Sequence, residues 1–504
     1  MGASHDTRTD EPAPPETERA RPAATTGEGP TDRERRLAWW LLLAVGVGFL
    51  VTQLVVAPPG RPSGWDEAVY VSQVTPGMEA MFMAAWRARG ITLLIAPVTL
   101  LGGSLDAVHL YLTIVSAAAV TIAFRLWIPL IGVAAAIGAF LFSFGWLALV
   151  DGSAVMPNFS AAVLGVAVAG LVLRRLEGAG MGYAIAAAAT LGAMALVRPT
   201  EAIVAAGAIG LFVLIVRWTS WRFLLGLGAG LVAGWLPWIL EMSIRFGGPA
   251  GALEAANSAG HLAVASVREN VVAHLSFTYG REKPPAGGPA IEGLLWWGML
   301  VVLSGLGLRR RVGAPARSAA LLATLGAVAF AVEYLVLVPI VAARFLLPAY
   351  AFAGLAAAIG LASLLRGGSV ARAVGVVVLA AGIPWAIWQV RVADRVVARE
   401  SRGGEIFEDA GLLLRDLADG RPCSFVSPGS YPQLHLVSGC VGAQLEPPPI
   451  PTTKQWDAIA AGEEVFMILP RVAPADSPLS VLTPIRFEAP KRTWFIYQLS
   501  QLNE

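Results

Sequence analysis

Asp66 and Glu67 stand side by side in Gly64-Trp65-Asp66-Glu67-Ala68-Val69-Tyr70, in a chain that is otherwise poor in acids. A carboxylate that meets water beside an apolar bundle can keep its charge and act as a general base toward a hydroxyl or an amine. Adjacent acids are also ordinary in a solvated loop, so the pair gains meaning from its neighbours. Trp65 and Tyr70 flank it, and aromatic rings suit sugar faces and membrane interfaces alike. Four arginines complete the chemically typed set: Arg87 and Arg89 in the same polar stretch, Arg198 in Arg198-Pro199-Thr200-Glu201, and Arg344 in Ala343-Arg344-Phe345-Leu346-Leu347-Pro348. A guanidinium grips phosphate through forked hydrogen bonds. The competing uses are snorkelling to headgroups and, for Arg198, a local pair with Glu201.

These side chains must be positioned by an unusually greasy chain. Of its 504 residues 56% are hydrophobic and 14% charged, with a mean hydropathy of +0.64. A soluble protein carries roughly 25% charged residues, so this composition describes a polytopic membrane protein. A net charge of +2 without a basic tract speaks against a nucleic-acid partner. Two cysteines are too few for a disulfide scaffold or a thiolate metal site, and His261 and His274 lack ligand spacing. No ligand motif supports a cofactor; a divalent metal stays open without one.

A helix needs about 20 apolar residues to cross a bilayer. Eleven candidates are expected, near 37–57, 104–126, 129–149, 157–173, 181–197, 201–217, 223–243, 290–308, 318–340, 345–365 and 373–390. Alternating them from a cytoplasmic start puts Arg33, Arg35, Arg36, Arg174, Arg175, Arg217, Arg309 to Arg311, Arg366 and Arg372 inside, as the positive-inside rule demands. Arg198 and Arg344 are isolated cations on the outer side. Residues 1–36, rich in Pro, Thr, Glu, Arg and Gly, form a disordered cytoplasmic tail in this scheme. Outer segments run over 58–105, with a short interfacial or re-entrant helix from Ile91 to Leu101, and over 244–290. Gly226, Gly230 and Gly234, four apart, predict close helix packing.

After about Arg391 the character changes. Glu405 to Leu417 has helical periodicity. Cys423 to Val426, Leu434 to Val437, Val465 to Leu469 and Trp494 to Leu499 read as short strands between proline-rich turns such as Glu446-Pro447-Pro448-Pro449. The expected fold is therefore an all-α polytopic bundle over 37–390 with a small extracytoplasmic α/β domain over 391–504. In an oxidising space Cys423 and Cys440 are candidates for a disulfide contributing about 3 kcal/mol in the chain-entropy model.

The acids after the first span, the mid-bundle Arg-Pro turn, the Arg344-Phe345-Leu346-Leu347-Pro348 entry to a late span and the terminal soluble domain together resemble the GT-C superfamily of integral membrane glycosyltransferases. The likeness is to the bacterial relatives of protein mannosyltransferases and aminoarabinose transferases, over roughly 37–390. It implies a sugar donor carried on a polyprenyl phosphate and a lipid, glycan or protein acceptor, with transfer at the outer face of the cytoplasmic membrane. It further implies that Asp66, with Glu67 beside it, serves as base or orients the acceptor, and that Arg344 contacts donor phosphate. The chain departs from many relatives after the acids: Val74-Thr75-Pro76-Gly77-Met78 lacks a His-Pro-Pro, and Trp86-Arg87-Ala88-Arg89-Gly90 follows instead. Two other classes compete. A transporter or flippase would use charges within the spans, where Glu241 and Glu333 are the candidates. A non-catalytic envelope assembly protein would use the terminal domain as a binding module.

Overall fold

The computed structural model describes residues 29–218, 220–258, 266–277, 291–309, 312–428, 431–444, 452–475, 477–489 and 492–503. His261, Arg310, Arg311 and the run Glu446 to Pro449 lie outside the described residues, as does most of the expected tail. The helices of the bundle are α1 (Asp32–Val56), α2 (Trp65–Ser72), α3 (Gly90–Leu100), α4 (Leu105–Arg125), α5 (Ile128–Ile131), α6 (Ala134–Ser143), α7 (Trp146–Asp151), α8 (Pro157–Leu176), α9 (Met181–Val197), α10 (Pro199–Ile215), α11 (Trp221–Phe246), α12 (Pro249–Ser258), α13 (Val267–Phe277), α14 (Ile291–Gly307), α15 (Ala314–Val332) and α16 (Leu347–Leu365). Then come α17 (Ser369–Ala418), β1 (Cys423–Ser427), α18 (Tyr431–Ser438), β2 (Val441–Gln444), α19 (Thr453–Ala460), β3 (Glu464–Leu469), β4 (Ile485–Ala489) and β5 (Arg492–Gln498). Among the described residues seven helices are long and apolar enough to cross a membrane, and five shorter apolar helices accompany them. The chain is a multi-pass membrane protein.

Local sequence explains the boundaries. Thr31 caps α1 by accepting from the Glu34 amide at 3.2 Å, so the helix starts at Asp32, ahead of the expected 37 and within the stretch expected to be disordered. Prolines open α8, α10, α15 and α16, where a missing N–H costs nothing. A Cβ on Gly230 would stand 2.2 Å from the Ala188 carbonyl, and one on Gly234 2.0 Å from that of Gly192. These two glycines thus let α11 lie directly on α9, whereas Gly226 has open space around it.

Four expectations are corrected. The span expected at 129–149 is three short helices, α5 to α7, because Gly132 with φ 58 and the Phe144-Gly145 step interrupt it. The 318–340 span ends in a π-helical turn, Glu333–Leu337. Leu434 to Val437 belongs to α18: its Leu434, His435 and Leu436 alternate like a strand but pack as a helix on α17. Finally, no break separates the last span from the helix expected at 405–417. Both belong to the 50-residue α17, roughly 75 Å long at 1.5 Å per residue.

The terminal sheet has the order β2-β1-β3-β5-β4, with β1 parallel to β2 and β3, and β5 antiparallel to β3 and β4. Its centre, β3, is wholly buried. The sheet packs on the last turns of α17 through Leu414, Phe425, Phe466 and Ile496, and Met81 of the first loop joins the same core. Cys423 and Cys440 are joined by a disulfide. The bundle therefore has two distinct ends. At one, Glu34 of α1 meets Arg366 beyond α16; at the other, under the sheet, Asp66 of α2 meets Arg344 just before α16.

Candidate active site

The site grows from the start of α2. Gly64 is the N-cap, and the Glu67 carboxylate accepts from the Gly64 amide at 2.9 Å, closing a capping box that fixes the first turn. Asp66 then projects from that turn with both oxygens engaged. Oδ1 accepts from Arg87 Nη2 at 2.6 Å, and Oδ2 accepts from Arg344 Nη2 at 2.7 Å. Trp65 and Tyr70 hold the Arg87 guanidinium from the side, 5.4 and 5.1 Å from their ring centres. One carboxylate thus bridges two cations, one of them reached only by way of a late helix.

Glu67, its neighbour, points the other way. Its Oε1 accepts from the Val155 amide at 2.9 Å and lies 3.1 Å from His109 Nε2, and its Oε2 lies 3.5 Å from Arg61. Burial by itself pushes this carboxyl up, but Arg61, His109 and the Gly64 amide overcome that and hold it well below the usual carboxylate range. Glu67 is a fixed anion that ties α2 to α4 and to the segment after α7.

A cavity of about 410 Å³ opens at Asp66 and Arg344. Trp65, Trp146, Asp151, Glu400 and Phe407 also line it, so the bundle, the first loop and the far half of α17 all contribute walls. Asp151, the last residue of α7, was missed by sequence reasoning. It is 9% exposed, and its Oδ2 has no hydrogen-bond partner among the described residues. Burial pushes its pKa up to about 7, Arg344 opposing and Glu400 adding to the rise. The available signal was an acid directly after the apolar run Leu147-Ala148-Leu149-Val150.

Two expected phosphate ligands stand elsewhere. Arg89 is clamped by Glu241 of α11 at 2.5 to 3.0 Å and donates to Gln73 at 2.6 Å. Arg198 bonds Glu201 at 3.0 Å and the Tyr334 hydroxyl at 2.7 Å, beside buried Glu333. Neither lines the cavity, and nor do Arg87 and Tyr70; the Arg89 and Arg198 guanidiniums are matched by Glu241 and by buried Glu201. The first pair accounts for Glu241, one of the two acids expected within the spans, whereas buried Glu333 keeps an Oε2 with no hydrogen-bond partner among the described residues. Among the described residues no group of three His, Cys, Asp or Glu side chains is arranged to hold a metal.

Next to the cavity, and sharing Trp146 and Leu147 with it, lies an apolar cleft between α6, α14, α16 and α17. Trp296 and Trp385 stack within it, centroids 4.6 Å apart and planes 11° from parallel.

Solved structures share this fold over most of the chain. ArnT from Cupriavidus metallidurans bound to undecaprenyl phosphate superposes with a TM-score of 0.66 at 14% identity, over 92% of this chain and 98% of that one. Its apo state gives 0.65 at 15% identity, over 93% and 99%. This fold is GT-C. The Archaeoglobus fulgidus oligosaccharyltransferase in its apo form shares it at a TM-score of 0.53 and 12% identity, over 85% of this chain and 69% of that one. Neither a comparison with protein-family models nor one with curated proteins finds a match. In this chain, then, the first-loop acid and the late arginine meet at one cavity under the terminal domain.

Proposed function

We propose that this chain is a membrane glycosyltransferase that moves a sugar from a polyprenyl-phosphate donor to a cell-envelope acceptor at the outer face of the cytoplasmic membrane. The N-terminus is cytoplasmic in this reading, and the sheet domain extracytoplasmic. The observation that carries it is the Asp66 carboxylate bridging Arg87 and Arg344 at the mouth of a cavity beside an apolar cleft.

Each part has a task. The polyprenyl tail lies in the cleft walled by Trp146, Trp296 and Trp385. The donor phosphate binds Arg344 from the cavity side, while Asp66 keeps that guanidinium aimed and is itself held by Arg87. As the glycosidic bond breaks, negative charge grows on the leaving phosphate, and preorganised cations in a low-dielectric rim stabilise that charge most. A lipid phosphate needs no strong acid to leave. An acceptor, however, has a proton to lose. Asp66 and Glu67 have their oxygens occupied, so Asp151, with an unengaged Oδ2 and a pKa of about 7, is the group suited to take it. The acceptor nucleophile bonds to the anomeric carbon, the bond to phosphate oxygen breaks, and the proton passes to Asp151.

A membrane assay with a panel of polyprenyl-phosphate sugars tests this. Wild type transfers at least one of them, and Asp66→Asn and Arg344→Ala insert normally but transfer at least a hundredfold more slowly. No turnover of any donor, or full activity in both variants, overturns it.

A further inference from the structure

We propose that Arg198, with Glu201 and Tyr334, is a positioning group for Arg344 and acts on it through the ring of Phe345. This rests on the glycosyltransferase reading above, in which Arg344 holds donor phosphate. Arg198 and Arg344 belong to different parts of the chain and do not bond each other, yet both guanidiniums lie against the same ring. Their centres are 5.9 and 5.8 Å from the Phe345 centroid.

Arg344 has few other restraints. Its Nη2 donates to Asp66, but its Nε is buried and has no hydrogen-bond partner among the described residues. On the side away from Asp66, the direction of the guanidinium is therefore set by the ring. The ring in turn is stacked on Tyr334, 4.9 Å away and 21° from parallel. Tyr334 is fixed at its hydroxyl, which accepts from Arg198 Nη2 at 2.7 Å and donates to the buried Glu201 carboxylate. Arg198 Nε closes the triangle on that same carboxylate at 3.0 Å.

The backbone beneath Tyr334 is the π-helical turn Glu333–Leu337. Asn270 of α13 pins that turn by donating to the Val338 carbonyl at 3.0 Å and the Leu335 carbonyl at 3.4 Å. π-Helical turns recur at functional sites because they move a side chain off the regular helical face. Here the turn carries the Tyr334 ring that stacks on Phe345. An ion pair serving only to hold α10 in place would need neither the tyrosine nor the ring.

The experiment is a double-mutant cycle on binding of undecaprenyl phosphate to detergent-purified protein. Arg198→Gln weakens binding about tenfold, the size of coupling found between residues in one contact network. The decisive expectation is that Arg198→Gln adds no further loss in an Arg344→Ala background. A merely structural role would cost the same in both backgrounds. Should Arg198→Gln lower the folded yield, Phe345→Leu keeps the triangle and the apolar volume and takes its place in the cycle, with the same expectation. Losses that multiply, or no loss in the wild-type background, overturn this inference alone. A wild-type protein that does not bind undecaprenyl phosphate overturns the functional reading and this inference with it.

Discussion

Asp66 and Arg344, 278 residues apart in sequence, share a 2.7 Å hydrogen bond at the mouth of one cavity. The contact is a quarter to a third exposed, so screening limits what it adds to stability. Asp66→Asn is therefore expected to change unfolding free energy by about 1 kcal/mol or less, while sugar transfer falls at least a hundredfold. Thermal melts beside turnover measure the two separately. A large loss of stability would make the pair a structural strut.

Glu67 should behave in the opposite way. Removing its charge leaves Arg61 buried without its anion, which costs about 3 kcal/mol. Glu67→Gln is thus expected to lower the melting temperature markedly. The folded pKa is depressed, so the stabilisation is present above the ordinary glutamate range and is lost only as pH falls well below it. Wild-type melts that already collapse between pH 6 and pH 5 through loss of this network would contradict that.

Asp151 carries the reverse sign. Its pKa is raised from 3.8 to about 7, so the folded protein binds the extra proton and this group destabilises increasingly as pH climbs through that interval, up to a few kcal/mol above it. Asp151→Asn should gain stability at pH 8 relative to wild type, yet lose activity by about a hundredfold or more. The wild-type rate should fall below pH 7 with a limb the variant lacks. A rate independent of pH between 5 and 8 would remove Asp151 from the mechanism.

The Cys423–Cys440 disulfide closes a short loop between β1 and the start of β2. Replacing both cysteines with serine should cost about 3 kcal/mol in the chain-entropy model. Proteolysis of the terminal domain, with and without reductant, reads this out.

Much of this was legible in the sequence because bilayers impose simple rules. Long apolar runs marked α4, α8, α9 and α16 almost to the residue. The charge asymmetry separated the end holding Glu34 and Arg366 from the end holding Asp66 and Arg344. The Arg198-Glu201 pair followed from its i, i+3 spacing. Tertiary partners were not legible. Nothing near Arg89 announces Glu241, 152 residues away, and nothing near Glu67 announces His109, 42 residues away. Asp151 was hidden because burial and field, rather than its local sequence, make it distinctive. The α17 fusion was hidden because polarity changes near Arg391 while helix propensity does not.

That fusion limits how the protein can open. A rod continuous from Ser369 to Ala418 leaves no slack linker between the sheet and the bundle. Its interior proline, Pro384, is the place where the hydrogen-bond ladder is broken, and it precedes the stretch bearing Glu400 and Phe407. Any bend there would carry the sheet and the cavity wall as one stiff arm, not as two independent lobes.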